Sequence, residues 1–160
     1  MKIRTMTMGI VMIGMLLLTG CIGQWFSQSN YQPSLIIGRP AVTGDIGKVL
    51  ISVAGMPQEG VASIAIDDFG IAYENIVGPS IKVEGMNGFD VLVQDFTTTS
   101  GKGRLVAANP NAGVIGGTIL KVTFKIAGGN PIFTINEAKV SLASALDTLI
   151  TNWHLAIGHF

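Results

Sequence analysis

The chain has 160 residues, with ten basic against ten acidic side chains, 48% apolar residues, 12% charged residues and one cysteine. That length suffices for one domain with a packed core and is short for two. The sparse, balanced charge argues against a basic nucleic-acid surface, and a lone cysteine excludes both an intrachain disulfide and a cysteine-rich metal site.

Lys2 and Arg4 form a short basic start, followed by an apolar run from Met8 to Leu18 broken only by Gly9 and Gly14. This is the layout of a secretory signal. At 11 residues, the run falls short of the roughly 18 a membrane span requires. Small residues, Thr19 and Gly20, then precede Cys21. The stretch Leu16-Leu17-Leu18-Thr19-Gly20-Cys21 resembles the lipobox of prokaryotic lipoproteins. That resemblance implies cleavage before Cys21 and a diacylglycerol on its sulfur. The bland alternatives are an ordinary signal followed by a stray cysteine, or an uncleaved anchor. The expected division is a signal peptide over 1–20, a lipidated tether over 21–34 and one folded domain over 35–160. Without Lys2 and Arg4 the mature part carries eight basic against ten acidic side chains.

Trp25 and Phe26 stand near the start of the tether. Aromatic rings favour the lipid–water interface, although the pair could equally cap one end of the domain. The polar, unpatterned run Ser27 to Pro33 reads as flexible. Leu35-Ile36-Ile37 is a short strand signal, ended by Gly38 and Pro40. Gly44-Asp45-Ile46-Gly47 reads as a turn. Lys48 to Ala54 alternates with Val49, Ile51 and Val53 on one face, the period of a half-buried strand. After the break at Gly55 to Gly60, Val61 to Asp68 sets Ala62, Ile64 and Ile66 against Ser63, Ala65 and Asp67. Further strands fit Ile71–Tyr73, Ile81–Glu84, Phe89–Phe96 (Phe89, Val91 and Val93 inward) and Arg104–Ala108.

The cleanest alternation runs from Ile119 to Ile126: Leu120, Val122, Phe124 and Ile126 face the core, while Lys121, Thr123 and Lys125 face solvent. A last long strand runs from Ile132 to about Leu142, with a phase slip between Ile135 and Ala138 that suggests a bulge. Ser141 to Ile150 is a helical turn or a loop, and Trp153 to Ile157 a final strand or a loose tail. Eight or nine short strands with Gly/Pro turns and no long helix predict an all-β, antiparallel, jelly-roll-like sandwich.

Gly44-Asp45-Ile46-Gly47-Lys48-Val49-Leu50-Ile51-Ser52-Val53 and Met56-Pro57-Gln58-Glu59-Gly60-Val61-Ala62-Ser63-Ile64 resemble the opening hairpin of cohesin-like modules, which belong to the β-sandwich group that also contains carbohydrate-binding modules. Gly116-Gly117-Thr118-Ile119-Leu120-Lys121-Val122-Thr123-Phe124-Lys125-Ile126 resembles the family's glycine-rich turn and penultimate strands, and Ile132 to Leu142 its closing strand. Where the family often carries a Tyr-Asp-Pro turn, this chain reads Asp67-Asp68-Phe69-Gly70. The resemblance implies a module that binds a partner protein, a dockerin in the family. It also implies that the strand Val61–Asp68 lies on the binding face, with Ser63 and Ala65 forming the surface and Asp67 or Asp68 bonding to the partner; the alternative is that the C-terminal segment covers this face.

Catalytic and cofactor signatures are missing from the sequence, and no cofactor or metal is implied. Gly44 to Lys48 is too short for a phosphate loop and lacks its hydroxyl residue, and Gly101-Lys102-Gly103-Arg104 is too short for a dinucleotide loop. His154 and His159 have no third ligand in view. Asp67-Asp68 is a carboxylate pair whose default role is turn chemistry. Sugar binding would need exposed rings, for which Tyr73 and Trp153 are the candidates. The expected function is thus an interaction module, not an enzyme, on the extracytoplasmic face of the cell membrane. Its partners would be membrane lipid through Cys21 and an envelope or secreted protein. The alternatives are a carbohydrate-binding lipoprotein that takes a polysaccharide, and a structural envelope component.

Overall fold

The computed structural model describes residues 33–96, 101–111, 113–143, 151–154 and 156–159, without the side chains of Asp68, Phe69, 151–154 and 156. All belong to a compact unit spanning Gln32–Phe160. The expected signal peptide, Cys21 and most of the tether lie outside the described residues.

Twelve strands are present among the described residues: β1 (Ser34–Ile37), β2 (Ala41–Thr43), β3 (Ile46–Ala54), β4 (Val61–Glu74), β5 (Lys82–Gly85), β6 (Asp90–Asp95), β7 (Lys102–Ala108), β8 (Gly117–Lys125), β9 (Ile132–Ile135), β10 (Lys139–Leu142), β11 (Thr151–His154) and β12 (Ala156–His159). Among the described residues the one helical element is a 3-10 turn at Gly78–Ser80. The first sheet has the order β12-β1-β3-β8-β5, with β2 also paired to β3. The second has the order β11-β10-β4-β7-β6, with β9 also paired to β4. Among the described strands only β1 and β12 pair in parallel; the other pairs are antiparallel. The result is the expected β-sandwich.

The core lies where the alternation placed it. Val49, Ile51, Val53, Ile64, Ile66, Leu105, Leu120, Val122 and Phe124 are all buried. Phe124 on β8 stacks on Phe133 of β9, with centroids 6.4 Å apart and planes 7° apart, so one ring pair ties the two sheets together. Opposite Phe124 in the ladder stands Gly47. The Phe124 ring covers Gly47, and a Cβ there would collide with it.

Several expectations are corrected. Gly44–Asp45 is the turn, but Ile46 and Gly47 belong to β3, which pairs with the unanticipated β2. Val61–Asp68 and Ile71–Tyr73 are one strand, β4. Ile132 to Leu142 is two strands, because β9 and β10 pair with different stretches of β4. Ser141 and Leu142 lie in β10, while 144–150 lie outside the described residues. The C-terminal stretch forms two strands, one at the edge of each sheet. Val93 is not inward. The register with β7 shifts between Val91 and Val93, leaving Leu92 as an extra residue and turning Val93 outward. A second slip makes Ile119 the extra residue of β8, and this one is fully buried.

Candidate functional site

The outer faces of the two sheets differ in chemistry, and the difference follows from which residues fill the outward phase of each strand. On the second sheet the ladder aligns Ser63 with Ala108 and Ala65 with Val106, and across β7 aligns Val106 with Val93. Ser63, Ala65, Val106 and Ala108 are half-buried, whereas Val93 is 38% and the adjacent Leu92 63% exposed. Small and β-branched side chains on a pleated surface leave a low-relief apolar strip along the middle of the sheet. One end of that strip is charged, where Asp67 and Lys139 flank Ala65 and Arg104 stands opposite Asp95.

A local irregularity shapes this charged end. β7 spends one residue, Arg104, between its pairings with Ile66 and Ile71, while β4 spends four, Asp67 to Gly70. On the other side of β4 the same interval separates β9 from β10, so residues 136–138 bridge it. The Asn136 backbone N–H donates to the Gly70 carbonyl at 2.6 Å. A cleft of about 190 Å³ opens there, lined by Ala65, Asp67, Gly70, Glu137, Ala138 and Lys139. Lys139 Nζ donates to Asp67 Oδ2 across it at 3.4 Å, and both side chains are well exposed. Gly70 is required at its floor. A Cβ there would sit 2.5 Å from the Glu137 carbonyl oxygen and 2.6 Å from Ile66 Cγ2.

The structure therefore brings three of the sequence-derived site residues, Ser63, Ala65 and Asp67, onto one outer face. Asp68 follows on the same strand, its side chain outside the description. The described C-terminal strands extend the sheet edges, β11 against β10 and β12 against β1. Lys139, Glu137, Val106 and Val93 were missed as members of this surface. Their neighbours on the face are set by register and by bulges, which local alternation does not encode.

Tyr73 is not a platform for sugar. It is 7% exposed, its hydroxyl donates to the Phe96 carbonyl at 3.0 Å, and its ring meets Phe96 edge-on. Burial, and then the negative charge of Asp95, push its pKa above the ordinary tyrosine value. Every aromatic ring whose side chain is described, namely Tyr73, Phe89, Phe96, Phe124 and Phe133, is buried. The Trp153 side chain lies outside the described set. His154 and His159 fall on strands of different sheets.

No family model and no curated protein matches the chain. Among solved structures it is similar to a cohesin module of a Clostridium perfringens family 33 glycoside hydrolase, at 12% identity and TM-score 0.49, covering 81% of this chain and 97% of that one. It is also similar to a type I cohesin of ScaB from Pseudobacteroides cellulosolvens, at 15% identity and TM-score 0.47, covering 81% and 88%. A third is a scaffoldin B cohesin of Acetivibrio cellulolyticus solved in complex with a dockerin mutant, at 11% identity and TM-score 0.47, covering 78% and 98%.

Proposed function

We propose that this chain is an extracytoplasmic interaction module, tethered to the cell membrane by lipid on Cys21, that binds a dockerin-like protein partner through the outer face of the second sheet. The observation that carries the reading is the low-relief strip of small and β-branched side chains, Ser63, Ala65, Val106 and Val93, ending in the Asp67–Lys139 cleft. A partner helix can lie closely against side chains this small, and its polar groups can bond at the charged end. An apolar centre beside a polar, wet rim is the anatomy of a protein interface. The sequence resemblance assigns partner binding to the same strand. Binding, not catalysis, is the proposed role.

The carbohydrate alternative lacks stacking rings among the described side chains, so it rests on residues elsewhere. One experiment separates the two. Mature protein is presented to a cell-envelope extract and, in parallel, to a glycan array. Capture of one defined protein with no glycan signal supports the proposal. Glycan binding without protein capture contradicts it.

A further inference from the structure

The first sheet turns a different face outward. Thr123 on β8 is paired with Lys48 of β3 on one side and with Lys82 of β5 on the other. Along its own strand, Lys121 and Lys125 lie two residues away on the same face. Four ammonium groups thus surround one threonine. Only Lys121 has a carboxylate partner among the described residues, Glu84. The same face carries apolar side chains in the open: Ile46 is 41% and Leu50 38% exposed, each two residues from Lys48. No aromatic ring lies on this face among the described side chains, which removes the usual means of holding a sugar. Lysines interleaved with exposed aliphatic groups match an anionic bilayer surface, where cations meet phosphates and aliphatic chains enter the headgroup region.

The chain's own geometry brings such a surface within reach. β1, which begins at Ser34, is an inner strand of this sheet. Twelve residues lie between it and Cys21, a span of at most about 45 Å fully extended and about 20 Å on average if flexible. We infer that the lysine face around Thr123 rests against anionic phospholipid headgroups, orienting the domain so that the second sheet's strip points away from the membrane. This rests on the anchored arrangement proposed above. Attraction of roughly fivefold per lysine gives a free domain weak, salt-sensitive binding. For a tethered domain, three or four lysines suffice to bias its orientation.

The test uses the mature chain from residue 21 with Cys21→Ser, so that neither the apolar run of the signal nor an acyl group contributes to any arm. Sedimentation is compared with vesicles of pure phosphatidylcholine and with vesicles containing phosphatidylglycerol, at low and high salt. The expected result is at least tenfold tighter binding to the anionic vesicles, abolished by salt. The triple variant Lys48→Gln/Lys82→Gln/Lys125→Gln should fall to the neutral-vesicle level with an unchanged melting curve. Should that triple variant melt early, Thr123→Glu, which sets a carboxylate among the lysines, must produce the same loss. Undiminished anionic preference in a folded variant overturns the inference, as does binding to a soluble polyanion such as heparin without binding to vesicles. Failure here leaves the anchor reading intact, because acylation at Cys21 is scored separately by incorporation of a labelled acyl chain into the parent protein.

Discussion

Phe124 is the side chain on which the packing depends most visibly. It is buried at 2% exposure, covers Gly47 within its own sheet and stacks on Phe133 of the other. Truncation would leave a ring-sized cavity between the sheets, so Phe124→Ala is expected to cost about 3–5 kcal/mol. Thr123, one residue away, faces outward, and Thr123→Ala should cost under about 1 kcal/mol. Urea titration of both variants checks the contrast; equal losses would refute the assigned phase. Tyr73 gives a pH-dependent counterpart. Its folded pKa is raised above the unfolded value of 10.0 by burial and by Asp95. Stability from this group is therefore complete below about pH 10 and declines above it, because the unfolded chain gives up the phenolic proton first. Tyr73→Phe should remove this alkaline decline while costing about 1 kcal/mol at neutral pH for the lost hydrogen bond to Phe96. Melting curves from pH 7 upward read both effects.

Within the strands, β4 connects fold to site. Its residues 61–66 and 71–74 are ordinary strand, and the interval between them makes the cleft. Gly70→Ala would force the 136–138 bridge outward and should destabilise by about 1–3 kcal/mol, with the loss of any partner contact at Asp67; a thermal melt and a capture assay on the same sample read the two effects together. Ala65→Arg instead places a long cation in the middle of the apolar strip. Because Ala65 is only half-buried and faces outward, the fold should tolerate it, with a melting temperature close to that of the parent, and capture should be lost. Unfolding by Ala65→Arg would show that this face is internal. Parity along β3, β4 and β8 was legible in the sequence because each strand has one wet face. So were the turn at Gly44–Asp45 and the outward phase of Ser63, Ala65 and Asp67. The split of Ile132 to Leu142, the outward turn of Val93 and the burial of Ile119 were not. The last two depend on one-residue register shifts, which leave local composition unchanged while moving a side chain to the other face, and the split depends on β9 and β10 pairing with separate stretches of β4. Lys139 joins Asp67 across 72 residues of sequence, a neighbour that only topology can supply.

The molecule as a whole presents two unlike faces on one sandwich, a small-residue strip on the second sheet and a lysine cluster on the first, and a membrane tether would give each a direction. Two acyl chains, at about 0.8 kcal/mol per buried methylene, hold a protein to a bilayer essentially without dissociation. Cys21→Ser should accordingly abolish incorporation of a labelled acyl chain and leave the signal, with its apolar run, uncleaved at that site. Mature protein that still partitions into detergent would remove the lipid anchor from the account. The claim on which the rest hangs is that the second sheet's outer face is the binding surface. Hydrogen exchange of the protein with and without its captured partner tests this most directly. The account predicts slowed exchange on β4, β7 and β10 around Ala65, Val106 and Lys139, with β3 and β8 unchanged. Protection confined to β3 and β8, with β4 unchanged, would contradict it.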